Sequence, residues 1–521
     1  MIVDKMWISF VFLFDLYCVL GHLFTCTENF QESKKTAVKL VKNMDKYIRQ
    51  EELKIEVLKR ISLSIRSQLT EELNGTKPVP PNPVSMYLYA KTISDASYSI
   101  TQIINNLKAD RHLKEFQATF KYKLPGEVDL KGVLTSFTRL QNTYNVTPPE
   151  MASGNVLGIQ VPVLSAYDCY DIGKFVYETG YTRIALQWMQ TSVDKIKHLN
   201  SGKAKEFLAD VNEFITEIKR QDRLDRIRTR MQLLTNRLEN FNTTEVAEFQ
   251  SMVKNNSMMY YGIEFSRNAN FTKRYENTCL TRNTRFGGVC KYLGFQDLTF
   301  FKQPIKVEYI NKSPMILVVH DIISQNLLEK LKGFANQLQR SKIYHGDDSL
   351  LRPLDSSTRT SSTYNFMEDM TDPDVIQFND RLERLTGLRT NIRQADHLQI
   401  VNYGIGGEFQ PHFDWLDETL LSGDLQTKTN RVLTIILYLS DVEVGGSTVF
   451  PELGLAVSPV KGSALIFTNL DKEEQGDKAT LHAGCPVFFG SKWIANKWIH
   501  KKDQDMNFLQ TIPSIWEHFS L

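Results

Sequence analysis

From Ile305 onward the chain consists of short apolar runs broken by Gly, Pro and Asp: MILVVH, HLQIVNY, RVLTIILYLS, STVFP, SALIF, PVFFG and KWIANKWI. Runs of strand length with turn residues between them predict a β-sandwich or barrel over 305–521. Two stretches in this part, Ser324–Arg340 and Pro373–Leu388, carry helical spacing instead and are expected to pack against the sheets.

Within this β-rich part the sharpest feature is Pro411-His412-Phe413-Asp414. In a strand, residues i and i+2 point to one face, so His412 and Asp414 can serve one metal ion. A second histidine, His482, stands before Ala483-Gly484-Cys485-Pro486. Two histidines and one carboxylate form a facial triad with open positions, the arrangement suited to Fe(II) oxygen chemistry. Lys492 follows in a stretch of apolar and aromatic residues, where a buried ammonium needs a partner; a ligand carboxylate can supply it, and a snorkelling surface lysine is the plainer alternative. Tyr403 closes the run HLQIVNY, across a Gly-rich turn from His412, and its hydroxyl can reach the same ligand or simply line a barrel.

The preceding 300 residues have a different texture. Residues 1–26 read as a secretory leader: Lys5, then the largely apolar Met6–Leu20, interrupted by Asp15. Sequons at Asn74, Asn145, Asn242, Asn255, Asn270 and Asn311 agree with a secretory route and so with glycosylation. No later segment is long and apolar enough to span a bilayer. Residues 28–69 keep a three-four apolar spacing (Val41, Met44, Ile48, Ile55, Leu58, Ile65, Leu69), which fits equally a coiled-coil seam and an amphipathic helix packed on its own domain. After a Pro-rich break at Lys77–Val84 further helix follows, and Leu164–Leu199 reads as a helical hairpin. There Ile172, Gly173, Val176, Ala185 and Met189 take the spacing of one tetratricopeptide (TPR) repeat. The net charge of +2 leaves no basic excess for nucleic acid. Of the 6 cysteines, Cys279 and Cys290 flank a short polar loop and are expected to form a local disulfide, with Cys485 unpaired.

The runs LQIVNYGIGGEFQPHFDW, NRVLTIILYLSDVEVGGSTVFPELG, KGSALIF and LHAGCPVFFGSKWIANKWIH resemble, in order and spacing, the catalytic domain of the collagen prolyl 4-hydroxylase α subunit. His320–Ser324 and Leu385–Leu388 extend the likeness upstream, and the N-terminal helices resemble that family's dimerisation and peptide-substrate-binding domains. The resemblance implies a multidomain α + β chain: signal peptide 1–26, helical dimerisation domain 27–146, TPR-like peptide-substrate-binding domain 147–245, a linker 246–304 containing Cys279–Cys290, and a double-stranded β-helix (jelly-roll) dioxygenase domain 305–521. It implies that His412, Asp414 and His482 hold iron, that Lys492 pairs with the distal carboxylate of 2-oxoglutarate, and that Tyr403 and Thr434 assist. It further implies ascorbate as a reductant, protein disulfide isomerase as β subunit of an α2β2 tetramer, the endoplasmic reticulum lumen, and 4-hydroxyproline formation in X-Pro-Gly sequences of procollagen. A related oxygenase acting on a non-collagen peptide, and an inactive subunit that binds Pro-rich peptides, are the alternatives. Two departures stand out. The tail after His500 has no cysteine to pair with Cys485, and Ser201–Asn240 has no tyrosine where the family binds polyproline.

Overall fold

The computed structural model describes residues 49, 52–67, 69, 82–105, 127–197, 202–238, 258–260, 263–265, 269–281, 290–293, 304–343, 354–355, 359–369, 371–416 and 430–506. The leader, the sequons at Asn74, Asn242 and Asn255, the loop between Cys279 and Cys290, and the tail beyond residue 506 lie outside these. The chain divides into two compact units, 1–78 with 91–126, and 79–90 with 127–521. In the first, residues 52–67 form a helix that exposes Leu53, Ile55, Leu58 and Leu63. No described helix is long and apolar enough to cross a membrane.

The second unit begins with helices. In the part of helix α1 (Pro83–Asn105) that belongs to this unit, Val84 and Tyr87 are buried, and the Tyr87 ring lies 5.7 Å from that of Phe137 in α2 (Glu127–Tyr144). The short α3 (Pro148–Ala152) opens on a reciprocal cap between Thr147 and Glu150. Helices α4 (Ala166–Glu178) and α5 (Thr182–Ile196) form the expected hairpin. A side chain at Gly173 would meet Met189 Cε at 2.8 Å and Trp188 Cβ at 3.1 Å, so any larger residue would have to displace Met189 and press on Trp188 where the helices approach. Trp188, fully buried, donates through Nε1 to Gln141 of α2 at 2.9 Å, which ties the hairpin to that helix. Along α6 (Gly202–Leu238), Phe207 stacks on Tyr167 and meets the edge of Tyr170, and Phe214 meets Tyr170 and Tyr177. Phenylalanines thus complete this aromatic row in the segment that lacks tyrosine.

The β-rich expectation holds for the C-terminal part. The strands of its two larger sheets and of the β9–β14 pair, in chain order, are β1 (Cys290–Leu293), β2 (Ile305–Asn311), β3 (Ile316–His320), β4 (Gln339–Arg340), β5 (Ser362–Phe366), β6 (Leu398–Tyr403), β7 (Phe409–His412), β8 (Arg431–Tyr438), β9 (Val444–Gly445), β10 (Thr448–Phe450), β11 (Leu455–Val457), β12 (Ala464–Thr468), β13 (His482–Gly484), β14 (Val487–Phe489) and β15 (Lys492–His500). A nine-stranded sheet runs β1-β2-β3-β12-β8-β15-β6-β5-β4, and a four-stranded sheet runs β7-β13-β10-β11. Helices α8 (Gln325–Lys332) and α9 (Pro373–Thr386) bury Leu327, Leu328, Leu331, Val375, Phe378 and Leu382 in one core with the back of the large sheet, as their spacing predicts. A second core joins the other face of that sheet to the helices from α2 onward.

The expected Cys279–Cys290 bridge is not formed. Cys279 is joined instead to Cys485, with Cα atoms 5.8 Å apart across a sequence separation of 206. The physical reason is where helix α7 (Ala269–Leu280) lands: it lies on the small sheet, packing Tyr275 and Cys279 against Val449, Ala456, Ala483 and Cys485. Cys290 starts β1, pairs opposite Glu308 on the edge of the large sheet, and is free and exposed. Closeness along the chain suggested the wrong partner because the helix carries Cys279 to another sheet.

Helix α2 also docks on the loops around the small sheet. Arg139 Nε sits 2.8 Å from Glu408 Oε1, a pair 16% and 6% exposed, and Arg139 also donates to the carbonyl of Gly406. Tyr275 donates to the other oxygen of Glu408, and Tyr144 donates to the carbonyl of Pro486. Gly406 takes φ +69, and a Cβ there would lie 2.3 Å from that of Ser136, so only glycine lets the helix approach this closely.

Candidate metal and cosubstrate site

Antiparallel pairing of β7 with β13 sets His412 directly opposite His482, ring centroids 4.3 Å apart. Asp414 follows just past the end of β7. Its Oδ1 lies 3.8 Å from His412 Nε2 and its Oδ2 lies 3.5 Å from His482 Nε2. One donor atom from each of the three falls within 4.8 Å of the others, and all three residues are buried. The H-x-D reading and the distant second histidine therefore converge on one point.

Each donor is oriented from behind. His412 Nδ1 is 2.7 Å from the carbonyl of Gln410 and His482 Nδ1 is 3.0 Å from that of Thr480. A carbonyl there fixes the Nδ1–H tautomer and leaves Nε2 with its lone pair facing inward. Thr434 Oγ1 donates to Asp414 Oδ2 at 2.8 Å and accepts from Asn469 Nδ2 at 2.8 Å. Phe409 stacks on His412, while Phe450 and Phe467 flank His482. Burial, with the neighbouring His482, pushes the His412 imidazolium pKa down to about 3. Burial alone would raise the Asp414 carboxyl; the positive charge that His482, His412 and Arg431 can carry outweighs it and holds the value down at about 2. Both shifts favour a neutral His412 imidazole and an ionised Asp414 carboxylate, the forms that bind a divalent cation. Two nitrogens and one carboxylate oxygen make the facial set of non-haem Fe(II) oxygenases and do not suit Mg²⁺, which takes oxygen donors.

Lys492 starts β15 and is 3% exposed. Its Nζ is 3.4 Å from Thr448 Oγ1 and 5.7 Å from the ring centroids of both Tyr403 and Tyr438. It forms no ion pair among the described residues, and burial pushes its pKa down to about 7. Tyr403 pairs opposite Lys492 in the sheet and lines the same cavity. Thr434 is elsewhere: it serves Asp414, and Thr448 is the threonine that meets the ammonium. Sequence reasoning also passed over Ile494, Asn496 and Trp498, which line this cavity. The signal was available, since they follow Lys492 at the two-residue period of a strand.

Residues 398–500 match the profile of the 2OG-Fe(II) oxygenase superfamily, and this match with the His412–Asp414–His482 geometry makes the chain a 2-oxoglutarate-dependent Fe(II) dioxygenase. Residues 27–158 match the profile described as Prolyl 4-Hydroxylase alpha-subunit, N-terminal region. Prolyl 4-hydroxylase subunit alpha-2 of Caenorhabditis elegans is 29% identical, with 95% of each chain covered. Prolyl 4-hydroxylase subunit alpha-3 of Homo sapiens is 29% identical over 88% of each. A solved viral collagen prolyl hydroxylase from Paramecium Bursaria Chlorella virus-1, in complex with 2OG, is 24% identical, covering 35% of this chain and 94% of that one, with a TM-score of 0.28. Over nearly its whole length the chain is similar to prolyl 4-hydroxylase alpha subunits.

Proposed function

We propose that this chain is the catalytic α subunit of a procollagen-proline 4-dioxygenase, which hydroxylates peptidyl proline in X-Pro-Gly sequences. The observation that carries the reading is a buried His412–Asp414–His482 cluster in the same cavity as a buried lysine with no carboxylate partner among the described residues. In this reading the three residues hold Fe(II), and Thr434 keeps Asp414 turned toward it. Lys492 holds the distal carboxylate of 2-oxoglutarate, with Tyr403 beside it. Bound together, iron and 2-oxoglutarate supply the oxygen activation that hydroxylates proline C4 and releases succinate and carbon dioxide. The protein's contribution is geometric: fixed donors, a pinned cosubstrate, and walls from Phe409, Ile436 and Ile494 that exclude water.

The finer features of the family enter here on the same footing. Ascorbate maintains the iron. Protein disulfide isomerase is the β subunit of an α2β2 tetramer, and the complex resides in the endoplasmic reticulum lumen, reached through the 1–26 signal peptide. The α4–α5 hairpin is TPR-like and belongs to a peptide-substrate domain, and the two facing sheets form a double-stranded β-helix. The test is succinate release by the purified α–β complex over a peptide panel. Release should be stimulated by X-Pro-Gly peptides and not by lysine-containing peptides lacking proline. Stimulation only by a non-collagen peptide, or none by any, would overturn the assignment.

A further inference from the structure

Helix α2 touches the chain beside both strands that carry the histidine donors. Arg139 reaches the turn before β7: its Nε sits 2.8 Å from Glu408 Oε1, and the same guanidinium donates to the carbonyl of Gly406 and, at 3.3 Å, to Thr360 Oγ1. Tyr144, the last residue of α2, donates to the carbonyl of Pro486, between β13 and β14.

Glu408 is where this contact meets the metal cluster. It is buried, and its two oxygens gather donors from three directions. Oε1 accepts from Arg139 of α2 and, at 3.3 Å, from Gln410 Nε2 of β7; Oε2 accepts from Tyr275 of α7 at 3.2 Å. Its backbone is fixed as well, since its N–H donates to Thr360 Oγ1 at 2.8 Å and its carbonyl accepts from the Thr360 N–H at 2.9 Å. The residues that follow act directly on His412. The Phe409 ring stacks on the imidazole with centroids 3.6 Å apart, and Gln410 supplies the carbonyl that holds Nδ1. Holding a turn does not require a buried carboxylate. Desolvation offsets the attraction of a buried ion pair, and well-packed apolar residues stabilise such a place equally well. What the carboxylate adds is direction, because charge-assisted hydrogen bonds from separate elements fix a strand end more narrowly than apolar contact does.

We propose that Glu408, held by Arg139 and Tyr275, is a positioning residue for the metal: it fixes the start of β7 so that His412 Nε2 faces the point where Asp414 and His482 converge. The inference rests on the Fe(II) reading given above. It adds to that reading a contribution from helices that precede the β-rich domain.

The test is Mn(II) titration followed by electron paramagnetic resonance, paired with urea unfolding, on the full-length chain in its α–β complex. The triple variant Arg139→Met/Tyr275→Phe/Glu408→Leu strands none of the three groups without a partner, so its urea midpoint should stay close to wild type. Its Mn(II) affinity should fall about tenfold, the scale on which partners behind a metal ligand act. Arg139→Lys keeps a cation on the carboxylate and should hold Mn(II) within about threefold of wild type. Arg274→Ala removes an exposed ion pair between α7 and Glu452 and should change neither measurement. Wild-type Mn(II) affinity in the triple variant would overturn the proposal, and so would an equal loss in Arg274→Ala. If the triple variant unfolds early, Tyr275→Phe decides, since it removes one hydroxyl only: it should weaken Mn(II) about two- to threefold, and an unchanged affinity would overturn the proposal. Failure of the wild-type complex to bind Mn(II) would instead sink the metal reading beneath it.

Discussion

Replacing Lys492 by methionine separates its role in ligand binding from its cost to the fold. The side chain is 3% exposed and burial pushes its pKa down to about 7, so without a partner carboxylate the ammonium titrates near neutrality. A dianionic ligand binds the protonated form. Wild-type affinity for 2-oxoglutarate should therefore be full below pH 7 and fall as pH rises through it, by about tenfold between pH 6 and pH 8. Lys492→Arg should bind without this slope, because a guanidinium stays charged throughout. Lys492→Met should bind about ten- to hundredfold more weakly at pH 6, again without slope. The fold responds with the opposite sign. A lysine whose folded pKa lies below its unfolded value of 10.5 takes up a proton on unfolding between about pH 7 and 10.5, so stability rises with pH across that window. The cost of burying Lys492 is greatest at and below pH 7 and vanishes above 10.5. A displacement from 10.5 to about 7 corresponds to a few kcal/mol, on the order of 1.4 kcal/mol per unit. The methionine variant without ligand should then unfold at higher urea than wild type at pH 7, and the two should converge toward pH 10. Calorimetry on the Mn(II)-loaded protein reads the first effect and urea unfolding reads the second. A methionine variant with wild-type affinity and pH slope would refute the anchoring role; one that unfolds earlier at pH 7 would refute the burial argument.

Thr434→Val removes the hydroxyl that holds Asp414 and accepts from Asn469, and should weaken Mn(II) binding about ten- to hundredfold in an electron paramagnetic resonance titration. Arg139→Met leaves the Glu408 carboxylate buried without its cation and should cost roughly 3–5 kcal/mol in urea unfolding; adding Glu408→Gln should recover part of that loss. Alkylation of the unreduced protein followed by peptide mapping should label Cys290 and recover Cys279 joined to Cys485; a Cys279–Cys290 peptide would contradict the placement of α7.

The sequence reached the chemistry more readily than the connectivity. Strand lengths, turn punctuation and the even spacing of His412 and Asp414 are local facts, and a two-residue period translates them into side-chain direction without knowledge of the tertiary fold. The same period extended along β15 points to Asn496 and Trp498 beside Lys492. What local pattern could not supply was the landing place of helices. Cys279 found Cys485 because α7 crosses the small sheet, and Arg139 found Glu408 because α2 presses on the turn at Gly406. Neither follows from spacing, since the partners lie hundreds of residues apart and the shorter separation to Cys290 favoured the wrong bond. Thr434 shows an intermediate case. Its strand faces the cavity as an alternating pattern suggests, yet only the register of β8 against β15 and the loop after β7 puts it at Asp414 rather than at Lys492.

The central claim is that His412, Asp414 and His482 hold the iron that hydroxylates proline. It is tested most directly by comparing the wild-type α–β complex with His412→Ala and His482→Ala for 4-hydroxyproline formed in an X-Pro-Gly peptide and succinate released, with Fe(II) and 2-oxoglutarate supplied. The account predicts one succinate per hydroxyproline in wild type and loss of both products in each variant, because two remaining donors hold Fe(II) poorly. Full hydroxylation by either alanine variant, or wild-type hydroxylation without added 2-oxoglutarate, would contradict it.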